Sequence, residues 1–178
     1  ITLTNAGNDF TGTVTLTGGA TQITDANALT LGTVNTGALT ANSSGNLNLG
    51  SGTVSGNLVA DTAGAGTITQ TGNLTVTGSS SLTATGNAIT LTQAGNDFQG
   101  GVTATGTGVS ITDTNALTVV LADGGNSTLV AGGNLVSSGS TTGLLSTTTT
   151  GTGTTTFGTT SAGTLSVSSA GAVSQSGA

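Results

Sequence analysis

The chain has no Lys, Arg, His, Glu, Cys, Met, Trp, Tyr or Pro. Each absence excludes something. Without Lys or Arg there is no side-chain salt bridge and no basic patch, so nucleic acid and anionic lipid surfaces are poor partners. Without Cys there is no disulfide and no thiol chemistry. Without His, Lys, Cys, Tyr or Glu, acid–base chemistry falls to Asp and hydroxyl groups alone. Without Trp or Tyr the usual aromatic platforms for sugars are missing. The formal charge is −6, all of it from Asp. No apolar run approaches the ~18 residues of a membrane-spanning helix, so membrane insertion by helix is not expected.

What remains is Gly, Thr, Ser, Asn and small aliphatic residues. This composition is compatible with disorder, but its pattern is not. Apolar and polar residues alternate in short runs, as in Ile1-Thr-Leu, Val14-Thr-Leu16, Leu29-Thr-Leu31, Leu47-Asn-Leu49, Leu74-Thr-Val76, Ile89-Thr-Leu91, Val109-Ser-Ile111 and Leu165-Ser-Val167. Period two sends the branched residues to one face of a strand and the hydroxyls to the other. No segment has helical apolar spacing, so no helix is expected. Gly-Asn pairs at 45–46, 56–57, 72–73, 86–87 and 133–134 each precede an apolar residue. Both residue types reach left-handed backbone angles readily, so the pairs read as corners entering strands.

Residues 1–31 recur at 89–119 without a gap, with 21 of 31 positions identical at an offset of 88. A long repeat of short strands is the mark of a solenoid. Strand starts fall roughly every eight residues, so three strands would make a coil of about 22, and four coils would make the offset. The expectation is an all-β parallel β-helix with about three strands and ~22 residues per coil, about eight coils in all. Phe10 and Phe98 should then occupy one corner of the cross-section, four coils apart. A weaker echo links residues 66–72 with 171–177 at an offset of 105. The chain reads as one continuous solenoid over 1–178, with repeat units of about 1–88 and 89–178, the second incomplete. Both ends fall within a repeat, as expected of a piece of a longer repeat protein. Residues 137–160 are the least regular stretch and read as a coil side with small packed residues and a solvated Thr face.

The segment 3–16 and its twin at 91–104 share a strand, then Asn-x-aromatic-x-Gly, then Val opening the next strand. Asn8, Phe10, Gly12 and Val14 carry it first, and Asn96, Phe98, Gly100 and Val102 carry it again. This resembles the repeats of filamentous-haemagglutinin-like adhesins and autotransporter passengers, secreted β-helix proteins of Gram-negative bacteria. The resemblance implies a right-handed coil, export across the outer membrane, and an extracellular or cell-surface location. It also implies work in attachment, aggregation or a biofilm matrix, through a receptor or glycan or by self-association into fibres.

Candidate sites are few. Asp9 with Asp25, and Asp97 with Asp113, could form carboxylate pairs, as in β-helices that cleave polysaccharides. Their turn-like settings, Gly-Asn-Asp and Thr-Asp-x-Asn, point instead to capping of nearby backbone N–H groups. Calcium wants six to eight oxygens, and the nearest fragment, residues 122–126, does not repeat. No catalytic, cofactor or metal residue is assigned, and no cofactor is expected. Thr-x-Thr tracts begin at Thr13, Thr67, Thr75, Thr83 and Thr103. Stacked on one flat face they would resemble an ice-binding surface, but they fall on several sides of the coil. Asn42, Asn73 and Asn126 head N-glycosylation sequons, which chance explains in so Asn- and Ser/Thr-rich a chain. The leading expectation is a structural and adhesive segment, not an enzyme; the alternative is an ice-binding solenoid.

Overall fold

The alternation read from the sequence runs through the computed structural model, which describes residues 1–177. Twenty strands and no helix occur among the described residues. The strands pair in parallel, each with a strand about one turn away along the chain. They stack as a β-solenoid of about ten turns.

The pairings form three ladders. The first begins with Thr2–Leu3 and rises through Thr21–Asp25, Leu39–Ser43, Leu58–Asp61, Ser80–Thr83 and Val102–Gly106. It continues through Leu117–Asp123, Leu135–Thr149 and Thr155–Ser168 to Val173–Gln175. The second starts at Leu29 and rises through Leu47–Asn48, Ile68–Thr69, Ile89–Leu91, Val109–Asp113 and Ser127–Ala131. It ends on the far halves of Leu135–Thr149 and Thr155–Ser168. The third stacks Val14–Thr17, the end of Leu29–Thr36, Ser51–Val54, Leu74–Val76 and Asp97–Phe98.

Turn length departs from the expected ~22 residues. Leu58 pairs with Ser80 and Ser80 with Val102, each 22 residues on. Thr21 pairs with Leu39 at 18, and Val102 with Val119 at 17. The ladders fix only the flat sides; corners accept loops of different length, because each coil touches only its neighbours. The turn after Asp61 is one such addition, with Ala63 at φ 50° and Gly64 at φ 74°.

The 88-residue repeat is therefore not a whole number of turns. Four turns carry Thr2 through Gln22, Thr40 and Val59 to Ser81. Ile89 lies further on, in the second ladder, between Ile68 and Val109. The twin copies sit on different ladders, and Phe10 and Phe98 do not share a corner. Phe98 stands above Val76 and Val54 and is fully buried, whereas Phe10 is only half-buried.

Inward residues form axial columns. In the second ladder Leu29, Leu47, Ile68, Ile89 and Val109 are each 0% exposed, followed by Ser127 and Leu145. Burying such aliphatic side chains contributes about 1.5–3 kcal/mol each. At both ends of the stack the columns lack one axial neighbour: Ile1, Leu3, Leu165, Val167 and Val173 continue buried columns yet stand exposed. Residues 137–160 do form packed coil sides, but part of the hydroxyl population points inward. Ser137, Thr141, Thr147, Thr149 and Thr155 are buried.

The Gly-Asn corners work differently from the expectation. Of the five glycines only Gly86 has a positive φ, 77°. At Gly56 the constraint is close approach, since a Cβ would meet the Ala38 nitrogen at 2.9 Å. At three of the five, the asparagine oxygen latches one coil to the next. Asn46 Oδ1 accepts from Thr67 N at 3.0 Å, Asn57 Oδ1 from Ser79 N at 3.0 Å, and Asn134 Oδ1 from Thr154 N at 2.9 Å. Backbone donors at the corners, where ladder bonds lapse, are satisfied this way.

Candidate functional site

Three of the six carboxylates turn inward. Asp25 Oδ2 accepts from Phe10 N and its Oδ1 from Asn27 N, both at 2.7 Å. Asp113 repeats this with Phe98 N and Asn115 N, again at 2.7 Å. Asp123 accepts from Gly108 N at 2.7 Å, Gly125 N at 3.0 Å and Ser127 Oγ at 2.5 Å. Burial raises the Asp113 pKa above the ordinary 3.8; the two N–H bonds oppose that shift, and the Asp97 charge adds slightly to it. Asp9 is exposed, so Asp9 and Asp25 face opposite ways. Asp97 is half-buried and meets Gln99 Nε2 at 2.9 Å and Asn115 Nδ2 at 3.3 Å. Asp25 and Asp113 thus tie corners, as their turn-like sequences imply. Asp123, the carboxylate of the calcium-like fragment, also points inward, onto backbone N–H groups and Ser127.

The sequence reading missed Asn96 as a structural centre. It is fully buried and makes five side-chain bonds. Its Oδ1 accepts from Gln70 Nε2 at 2.7 Å and Leu74 N at 2.9 Å. Its Nδ2 donates to Gln70 Oε1 at 2.9 Å, Leu91 O at 3.1 Å and Thr112 O at 3.2 Å. One amide joins three successive turns. The recurrence of Asn8 at 96 was the visible signal; the partner Gln70, 26 residues away, needs the coil register to be found.

The outer walls carry the chemistry that could meet a ligand. On the second ladder the outward positions run Thr30, Asn48, Thr69, Thr90, Ser110, Thr128, Ser146 and Ser166, one per turn. A parallel column two residues along holds Thr112, Val130, Thr148 and Ser168. On the first ladder the outward columns are broken by Val59 with Asp61, and by Val120 with Ala122. The Thr-x-Thr tracts divide as expected: those from Thr83 and Thr103 lie on the first ladder, that from Thr67 on the second, and those from Thr13 and Thr75 on the third. The second-ladder column is assembled across coils, where no run in the sequence displays it.

Of the sequon residues, Asn42 is half-buried within Leu39–Ser43, while Asn73 and Asn126 are exposed. Asn126 Oδ1 is another coil latch, accepting from Leu144 N at 2.8 Å. A sugar on Nδ2 would leave that bond in place.

No curated protein and no solved structure matches the chain. Residues 1–17 and 36–105 match a family model described as repeats of unknown function (DUF5649), and the second stretch runs into the recurring copy at 89. The chain is thus similar, over just under half its length, to a family known as repeats, in keeping with the solenoid.

Proposed function

We propose that this chain is a structural and adhesive segment of a large secreted bacterial β-helix protein, a stalk or display surface for attachment, aggregation or a biofilm matrix. The observation that carries this reading is the stack itself. About ten turns are joined by backbone ladders along one axis, with side walls of hydroxyls and amides. Ladder bonds parallel to the axis suit such a rod to bearing load, and the walls give repeated polar contacts to a receptor, a glycan or another fibre.

In this reading the coil is right-handed and three-sided. Right-handed crossover between parallel strands is the strong rule for L-residues, and the three ladders supply the sides. The motifs at Asn8–Phe10 and Asn96–Phe98 support export from a Gram-negative cell to its surface. The chain works without catalysis, cofactor or metal, binds no nucleic acid and does not insert into a membrane.

Beads coated with the chain test the adhesive reading. They should be retained on host cells or a glycan panel, or clump with one another. Beads that stay dispersed and unbound in all three formats would overturn it. Small-angle scattering tests the rod: ten rungs at ~4.8 Å give roughly 45 Å along the axis.

A further inference from the structure

The geometry points to the second-ladder wall as a binding face for a lattice of ordered water, that is, for ice. Three observations carry this, and none depends on the adhesive reading. First, the wall is a two-dimensional array. Consecutive pairs Thr90↔Ser110↔Thr128↔Ser146↔Ser166 place one outward polar group per rung. The neighbouring column Thr112↔Val130↔Thr148↔Ser168 keeps the same register with one interruption. Rungs lie ~4.8 Å apart, and residues i and i+2 of a strand about 6.6 Å apart. The rung spacing is close to the shorter oxygen repeat on the prism face of hexagonal ice, and the along-strand spacing falls somewhat short of the longer one.

Second, these hydroxyls are unengaged. No side-chain bond joins Thr90, Ser110, Thr128, Ser146 or Ser166 to any described residue. The hydroxyls of Thr149, Thr155 and Thr156, on other positions of the same coils, bond to Ser169 and Ser174 instead. The wall's hydrogen-bonding capacity is directed outward, in register, on a parallel sheet held against lateral movement by the ladder.

Third, the wall lacks what other ligands need. None of the six carboxylates lies in either column: Asp25, Asp113 and Asp123 point inward, Asp61 is on the first ladder, Asp97 is on the third, and Asp9 lies between strands. No aromatic ring is offered to a sugar, since Phe98 and Phe157 are buried and Phe10 packs half-buried against the core. A single hydroxyl gains little from an isolated solute, because water competes for the bond. A ligand that is itself periodic engages every rung at once, and weak contacts then sum as in multivalent binding.

The test is thermal hysteresis and partition into a growing ice hemisphere, with the 178-residue chain and two exposed substitutions. Thr128→Tyr places a bulky ring in the second-ladder wall, and Thr103→Tyr places the same ring on the first ladder. Circular dichroism melts confirm that each variant folds. The expected result is measurable hysteresis and ice enrichment for the unmodified chain, a loss of at least about twofold for Thr128→Tyr, and no loss for Thr103→Tyr. Folded chain that is excluded from ice overturns the proposal, as does an equal loss in both variants. Retention on crystalline cellulose or chitin that Thr128→Tyr removes, without any ice activity, would assign the wall to a polysaccharide lattice and also overturn it. Bead adhesion is scored separately, so failure here leaves the adhesive reading to its own assay.

Discussion

The two copies of the 31-residue repeat make the same local bonds in different surroundings. In the first copy Asn8 Nδ2 donates to Leu3 O at 3.0 Å and Thr24 O at 3.2 Å. In the second, Asn96 Nδ2 donates to Leu91 O at 3.1 Å and Thr112 O at 3.2 Å. Ala26 N bonds Asn8 O, and Thr114 N bonds Asn96 O, both at 2.8 Å. Yet Leu3 is 37% exposed and Leu91 0%, and Phe10 is half-buried while Phe98 is 1% exposed. The first copy lies at the start of the stack, whereas the second has the coil of Gln70 and Leu74 beneath it. The corner conformation is thus a property of the local sequence; its burial, and so its energetic weight, comes from the neighbouring coil.

The largest difference between the copies is expected at the aromatic pair. Phe98→Ala should cost about 3–5 kcal/mol, the range for emptying a filled core site. Phe10→Ala should cost less than half as much, because its ring keeps part of its surface in water. Urea unfolding of both variants measures the difference; equal losses would show that the first coil is as well packed as the second.

The amide pair comes next. Asn96→Ala removes the buried partner of the Leu74 N–H and of the Leu91 carbonyl, at about 1–3 kcal/mol for each group left unsatisfied, while half-buried Gln70 keeps its bond to Gly72 O. Asn8→Ala leaves its partners within reach of water and should cost roughly 1 kcal/mol or less. Hydrogen exchange sharpens the contrast, with the Leu74 amide expected to lose protection in Asn96→Ala and to keep it in Asn8→Ala.

A smaller effect is pH-dependent. Burial lifts the Asp113 pKa, so the folded chain holds this proton to higher pH than the unfolded chain does. Its contribution to stability is fully present below the ordinary value of 3.8 and is lost as pH rises through the folded-state value. The stability of the unmodified chain relative to Asp113→Asn should therefore fall as pH is raised across that window. A difference that is flat with pH, or that rises, would contradict the assignment.

The smallest effect concerns a position where the copies differ. Asn5 Oδ1 accepts from Gly7 N at 2.9 Å, while the second copy has Gln93 at the same place and keeps only the backbone bond, Asn96 N to Gln93 O at 3.1 Å. Asn5→Gln should change stability by less than about 0.5 kcal/mol. A larger loss in thermal melts would mean that the side-chain cap, not the backbone turn, holds this corner.

Much of the fold was legible in the residues. The alternation at Leu29-Thr-Leu31, Ile89-Thr-Leu91 and Val109-Ser-Ile111 gives strands with those aliphatics inside. The repeat gives a solenoid, and the turn-like settings of Asp25 and Asp113 give caps. The coil length was not legible. Counting strands treats corners as equal, whereas the corner after Asp61 is longer than those between Val102 and Val119. The glycine of Gly56-Asn57 was read as a left-handed position; it is demanded by the backbone of the coil below, which no local pattern encodes. The hydroxyl wall was missed for the same reason, since Thr90, Ser110 and Thr128 become neighbours only through register.

The residues alone dictate strands without helix, inward aliphatics in the alternating runs, and one Asn-Asp-Phe turn made twice over. These are short-range matters, set by side-chain alternation and by hydrogen bonds that close within a turn. The number of residues that close each coil, the side chains that share a column and the depth at which each copy is buried follow from packing of one coil on the next. Those depend on contacts 17 to 26 residues apart, whose spacing is set by corner lengths that no local pattern encodes.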